Sequence, residues 1–141
     1  MVQIQMKYEG GLRCAAVHAP SKTKLLTDAP VDNQGKGESF SPTDLVATAL
    51  GTCILTTMAI VAERHGWKME GSEATVVKHM VADPARRIGK LVVTIKMRGE
   101  FDARARETLE RTAHTCPVHK SLAPNVEIPL SFEWYQSGVR A

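Results

Sequence analysis

The chain has 141 residues, 43% hydrophobic and 23% charged, with a net charge of +3, which suits a single domain over residues 1–141 with its own apolar core. Lys and Arg alternate with acidic residues instead of forming blocks, which argues against nucleic-acid and membrane-surface partners. Three cysteines follow a start, Met1-Val2-Gln3-Ile4, without signal-peptide character; this predicts a cytoplasmic protein with functional or inert thiols, and not a disulfide framework.

Val2, Ile4, Met6 and Tyr8 alternate with polar residues, so the first element is predicted as a half-buried strand. Gly10-Gly11 signals a hairpin turn into a second strand over Leu12–Ala19. Lys24–Thr27 reads as a short third strand, and Asp28–Phe40, with Pro, Asn and two Gly, as a loop. The central element spans Ser41 to His65. Ser41 caps it, Pro42 takes the first helical position, and Asp44 can reach back to the Ser41 amide. Gly66 closes it. No side chain from Leu45 to Ala62 carries a charge, and a helix apolar all round must be buried all round. Thr48, Thr52, Thr56 and Thr57, with no aromatic belt, argue against a membrane span.

A strand over Glu73–Val81 is followed by an Asp83-Pro84 break. Leu91, Val93, Ile95 and Met97 then alternate in a second strand, making an antiparallel hairpin. Asp102 caps a helix over Ala103–Thr112, whose Arg106/Glu110 and Glu107/Arg111 pairs are spaced i,i+4. Pro117 suits the first position of a short helix, with Cys116 at its N-cap and Pro124 beyond its end. Val126–Trp134 alternates as a last strand, with Pro129 arguing for an edge or irregular place. The order β-β-β-α-β-β-α-α-β is an α+β fold. Six short strands from one chain are too few to cover the central helix, so a homodimer is predicted.

Among the thiols, Cys116 is the one that local physics favours for reactivity. A helix N-terminus offers it unpaired amides and a positive dipole end, which lower a thiol pKa. Cys53 lies roughly 18 Å along the axis from the start of its own helix, and on its own reads as an inert core thiol. Cys14, mid-strand, reads as inert. His114, Cys116 and His119 offer metal-ligand types but lack a matching second pair, so zinc is not favoured. Gly35-Lys36-Gly37 lacks the spacing of a phosphate loop.

Two stretches together, SPTDLVATALGTC ending at Cys53 and TCPVHKSL around Cys116, resemble the OsmC/Ohr family, the osmotically induced and organic hydroperoxide resistance proteins. The resemblance implies an OsmC-like fold as an intertwined homodimer around two long central helices. It implies a thiol-dependent peroxidase acting on organic hydroperoxides or hydrogen peroxide in oxidative stress defence. Cys53 would be the peroxidatic and Cys116 the resolving thiol, joined in a disulfide that an external dithiol or lipoyl-type reductant reopens, with no metal or haem. One way to serve both sulfurs is for the helix that begins at Pro117 to point its N-terminus at Cys53 and Cys116 together.

The chain departs from the family pattern in its auxiliary groups. Family peroxidases use an early arginine and a glutamate just after the helix-start proline. Here that glutamate position holds Thr43, followed by Asp44, while Arg13 is the only early arginine and Glu38 is a substitute carboxylate. Weaker peroxide activation would follow without a guanidinium. The sequence assigns no substrate-binding residue. The alternative is a non-enzymatic redox-sensing or small-ligand-binding dimer of the same fold.

Overall fold

In a computed structural model of the protein, residues 1–136 are described. They form two compact units, Met1–Val46 and a second beginning at Ala47. The first unit is an antiparallel meander of β1 (Ile4–Gly10), β2 (Arg13–His18) and β3 (Lys24–Asp28). The β1–β2 turn uses positive φ at Gly10 and Gly11, as the glycine pair predicts. Register places Tyr8 opposite Cys14, and Arg13 opposite Asp28. The alternating face of β1 is not half-buried: Ile4, Met6 and Tyr8 are 53, 67 and 62% exposed. Alternation specifies which face is apolar, not what covers it.

Helix α1 runs from Pro42 to Arg64. Its start is the expected capping box: the Ser41 amide donates to Asp44 Oδ2 at 2.9 Å, and the Asp44 amide to Ser41 Oγ at 3.1 Å. Its end is the left-handed Gly66, after which the Trp67 amide returns to the Ala62 carbonyl at 2.9 Å. Burial is not uniform around it. Leu50, Gly51, Ile54, Met58 and Ala62 are buried, whereas Thr48, Thr52, Thr56 and Ile60, spaced i,i+4, are exposed. The helix is long and apolar enough to cross a membrane by length and composition.

In the second unit, β4 (Glu73–Val81) and β5 (Arg87–Arg98) form the predicted hairpin, and β6 (Leu130–Tyr135) pairs parallel to β5 at the sheet edge. The alternation in β5 is realised fully: Leu91, Val93, Ile95 and Met97 are all buried and pack with Leu50, Ile54 and Met58 of α1. Gly51 has a packing reason, since a Cβ there would lie 3.1 Å from Val76 Cγ2 and 3.6 Å from Ala74 Cβ, both on β4. The last strand begins later than its alternation predicts. Pro129 has no N–H for the ladder, and upstream only Glu127 bridges to Lys90, so regular pairing starts at Leu130.

Helix α2 (Ala103–Ala113) is capped as expected, with Asp102 Oδ1 accepting from the Ala105 amide at 2.8 Å. Its buried face is Ala105, Leu109 and Ala113. The Glu107–Arg111 pair forms at 3.4 Å. Arg106 and Glu110 do not pair with each other. Arg106 stacks over the Trp134 ring at 5.3 Å, and Glu110 accepts the Trp134 indole N–H at 3.2 Å. An aromatic ring with a donor edge and a negative face satisfies both charges better than a solvated i,i+4 pair. Helix α3 is Pro117–Leu122.

Candidate active site

Cys116 stands at the start of α3 with extended backbone, φ −63° and ψ 141°, and Pro117 follows at the first helical position. Its Sγ accepts the His119 amide at 3.2 Å, and the Val118 amide also favours its thiolate. The amides predicted to face this sulfur therefore do so. The predicted fall in pKa does not follow. Cys116 is fully buried, and burial pushes its thiol above the usual range, outweighing the two amides, with the neighbouring Cys53 adding to the rise. Cys116 is thus held as a thiol at neutral pH.

Cys53 projects from the middle of α1 and is half-buried, with Thr57 Oγ1 4.0 Å from its Sγ. It lies near enough to Cys116 to oppose ionisation of that thiol. Two thiols distant in sequence are therefore brought together by α1 and the start of α3, and both are free. Cys14 is a free thiol on β2, placed in register between Tyr8 of β1 and Thr27 of β3.

Beside Cys116 stand two imidazoles, His114 and His119, whose rings meet edge to face with centroids 5.8 Å apart. Burial first, then the nearby His114, pushes the His119 pKa below the ordinary histidine value. His119 Nδ1 is buried without a hydrogen-bond partner. Among the described residues no three His, Cys, Asp or Glu side chains converge as a metal site.

In the first unit the auxiliary groups have distinct occupations. The Arg13 guanidinium grips Asp28 through Nε at 2.7 Å and Nη2 at 2.9 Å, and Nη2 lies 3.6 Å from Glu38 Oε2. Asp28, fully buried, also accepts the Glu38 amide at 3.1 Å. The Arg13 fork holds the Asp28 carboxyl well below the usual carboxylate range. Glu38 thus does meet Arg13, and the principal partner is Asp28, which the sequence reading left as the first residue of a loop. The signal for it was the hairpin register, which sets an arginine directly across from an aspartate. Asp44 is engaged in the capping box, and Thr43 Oγ1 lies 3.2 Å from Ser41 Oγ.

A groove of about 340 Å³ lies along α1 in the second unit, lined by Leu55, Ala59, Trp67, Met69, Glu63 and Glu70 among others.

The model of the family described as OsmC-like protein matches residues 35–131, more than half of the chain. The chain belongs to the OsmC-like family. Its similarity extends to a Psychrobacter arcticus protein named for osmotic stress induction and detoxification response, 42% identical, with 94% of this chain and 96% of that one covered and a TM-score of 0.89. This OsmC-like chain also shares its fold with an organic hydroperoxide resistance protein OsmC from Legionella pneumophila, at 22% identity, TM-score 0.74 and coverage of 94% and 96%. An organic hydroperoxide resistance protein from Elizabethkingia anophelis, at 14% identity, has a TM-score of 0.77 and coverage of 96% of both chains. These last two likenesses speak to the fold alone. No curated protein matches the sequence.

Proposed function

We propose that this OsmC-like protein is a thiol peroxidase that reduces organic hydroperoxides or hydrogen peroxide through Cys53 and Cys116. The observation that carries the reading is the proximity of these two free thiols, supplied by residues far apart in the chain. Cys53, half-buried, is the thiol that meets peroxide; its thiolate attacks the peroxide oxygen and becomes a sulfenic acid. Cys116, buried and protonated, resolves it by forming the disulfide and releasing water. An external dithiol of the lipoyl type reopens that bond by exchange. The cycle needs no metal or haem. It takes place in the cytoplasm, where thiols are kept reduced between turnovers.

The protein acts as a homodimer. The uncharged Thr48–Thr52–Thr56–Ile60 stripe of α1 and the apolar face of β1 are both exposed in the single chain, and a second copy is the partner that covers them.

The groove beside Trp67 supports a second reading, a small-ligand-binding dimer of the same fold, since its volume is in the range of small-molecule sites. Peroxide consumption separates the two. With cumene hydroperoxide and an excess dithiol, the native protein turns over and Cys53→Ser does not. Equal consumption by both proteins would remove the peroxidase reading.

A further inference from the structure

A thiolate with part of its surface out of water is stabilised by a hydrogen-bond donor at the sulfur. The Arg13 guanidinium is engaged by Asp28 and Glu38. Helix α1 itself carries a donor one turn on from Cys53. Hydroxyls inside the helices of this protein donate to the carbonyl one turn back: Thr52 to Thr48, Thr112 to Thr108 and Ser121 to Pro117, each at 2.8 Å. Thr57 departs from this habit. Among the described residues its hydroxyl has no carbonyl partner, and what it meets is Cys53 Sγ at 4.0 Å. Residues i and i+4 share a helix face, so α1 alone sets this pairing. Both side chains are half-buried.

The distance is long because the pair is neutral, and in that state either atom can donate. Ionisation removes the thiol hydrogen and leaves the sulfur an acceptor only. The hydroxyl then donates, and the bond shortens as it becomes charge-assisted.

We propose that the Thr57 hydroxyl is the donor that stabilises the Cys53 thiolate. Its place in the cycle rests on the peroxidase reading above. The bond acts before the attack, on how much of Cys53 is thiolate. In the attack the S–O bond forms to the terminal oxygen of the hydroperoxide as the O–O bond breaks. The alkoxide leaves and takes a proton from solvent as the alcohol. Sulfur gives up two electrons and the peroxide accepts them, so no further oxidant enters.

A stabilised thiolate is more abundant but a weaker nucleophile, which gives the bond a pH signature. Losing a charge-assisted bond costs about tenfold in thiolate population. With a Brønsted slope of about 0.4–0.5, the thiolate that remains is about threefold more reactive. Cys116 is a titratable neighbour of Cys53, and it is common to all the proteins compared.

The test measures two rates in the native protein, Thr57→Val and Thr57→Ser from pH 5.5 to 10.5. One is Cys53 alkylation by iodoacetamide, the other Cys53 oxidation by cumene hydroperoxide, both read by peptide mapping. Valine keeps the volume and loses the hydroxyl; serine keeps the hydroxyl and loses the methyl. Thr57→Val is expected to be about threefold slower than the native protein at the acid end and to cross above it at the alkaline end. Thr57→Ser is expected to follow the native profile. Native rates in Thr57→Val would overturn the proposal. So would a Thr57→Ser protein as slow as Thr57→Val, or a slowing uniform in pH, either of which makes Thr57 a packing residue. The expected alkylation profiles with no oxidation of Cys53 in any protein would keep the Thr57 bond and remove the peroxidase reading.

Discussion

At Cys116 two local effects oppose each other and burial wins. The amides of α3 favour thiolate, while the low-polarity surroundings penalise it more. The sequence made the amides visible through Pro117 and the N-cap position, but burial is a tertiary fact that no local pattern encodes. The consequence is a division of labour, with Cys53 in contact with solvent and Cys116 kept protonated behind it. Iodoacetamide at pH 7.5 is therefore expected to label Cys53 faster than Cys116, because Cys116 is fully buried and its thiolate is disfavoured. Equal rates in peptide mapping would contradict this. Asp28 gives a second expectation. Its folded pKa is lowered, chiefly by the Arg13 hydrogen bonds. The stability it contributes is therefore present above about pH 3.9, the unfolded carboxylate value, and is lost as pH falls below it. Thermal unfolding between pH 2.5 and 5 should show a shallower acid decline for Asp28→Asn than for the native protein.

At the scale of elements, most of the chain was legible. Period two located β4 and β5, and Ser41, Pro42, Asp44 and Gly66 fixed both ends of α1, because these signals act through nearby backbone groups. The late start of β6 and the diversion of Arg106 and Glu110 to Trp134 were not legible, since each depends on which element lies alongside. Asp28 was missed for the same reason, its partner being across the hairpin. Helix α1 packs Leu50, Ile54 and Met58 against β5. Truncating Ile54 to Ala is expected to cost about 2–5 kcal/mol in denaturant unfolding. A side chain at Gly51 would meet Val76 and Ala74 of β4. Gly51→Val should be strongly destabilising, whereas Gly51→Ala gains helix propensity of about 1 kcal/mol that offsets its tighter contact. A Gly51→Val protein as stable as the native one would show that α1 and β4 do not meet there.

At the scale of the molecule, the uncharged helix pointed to a partner from sequence alone, and its exposed threonine–isoleucine stripe supports the same proposal. Sedimentation equilibrium is expected to give twice the chain mass of 15.4 kDa; a monomer mass would remove the homodimer. The pairing of Cys53 with Cys116 was readable only as an implication of the family resemblance. Helix phase and spacing within one chain do not bring two such distant residues together, and it is the fold that does so. The central claim is that these two thiols are one redox unit. Its most direct test is intact-mass spectrometry with peptide mapping, after the reduced protein meets one equivalent of cumene hydroperoxide. A loss of about two hydrogens mapped to a Cys53–Cys116 bridge is the expected result. Thiols left reduced, or oxidation confined to Cys116, would contradict it.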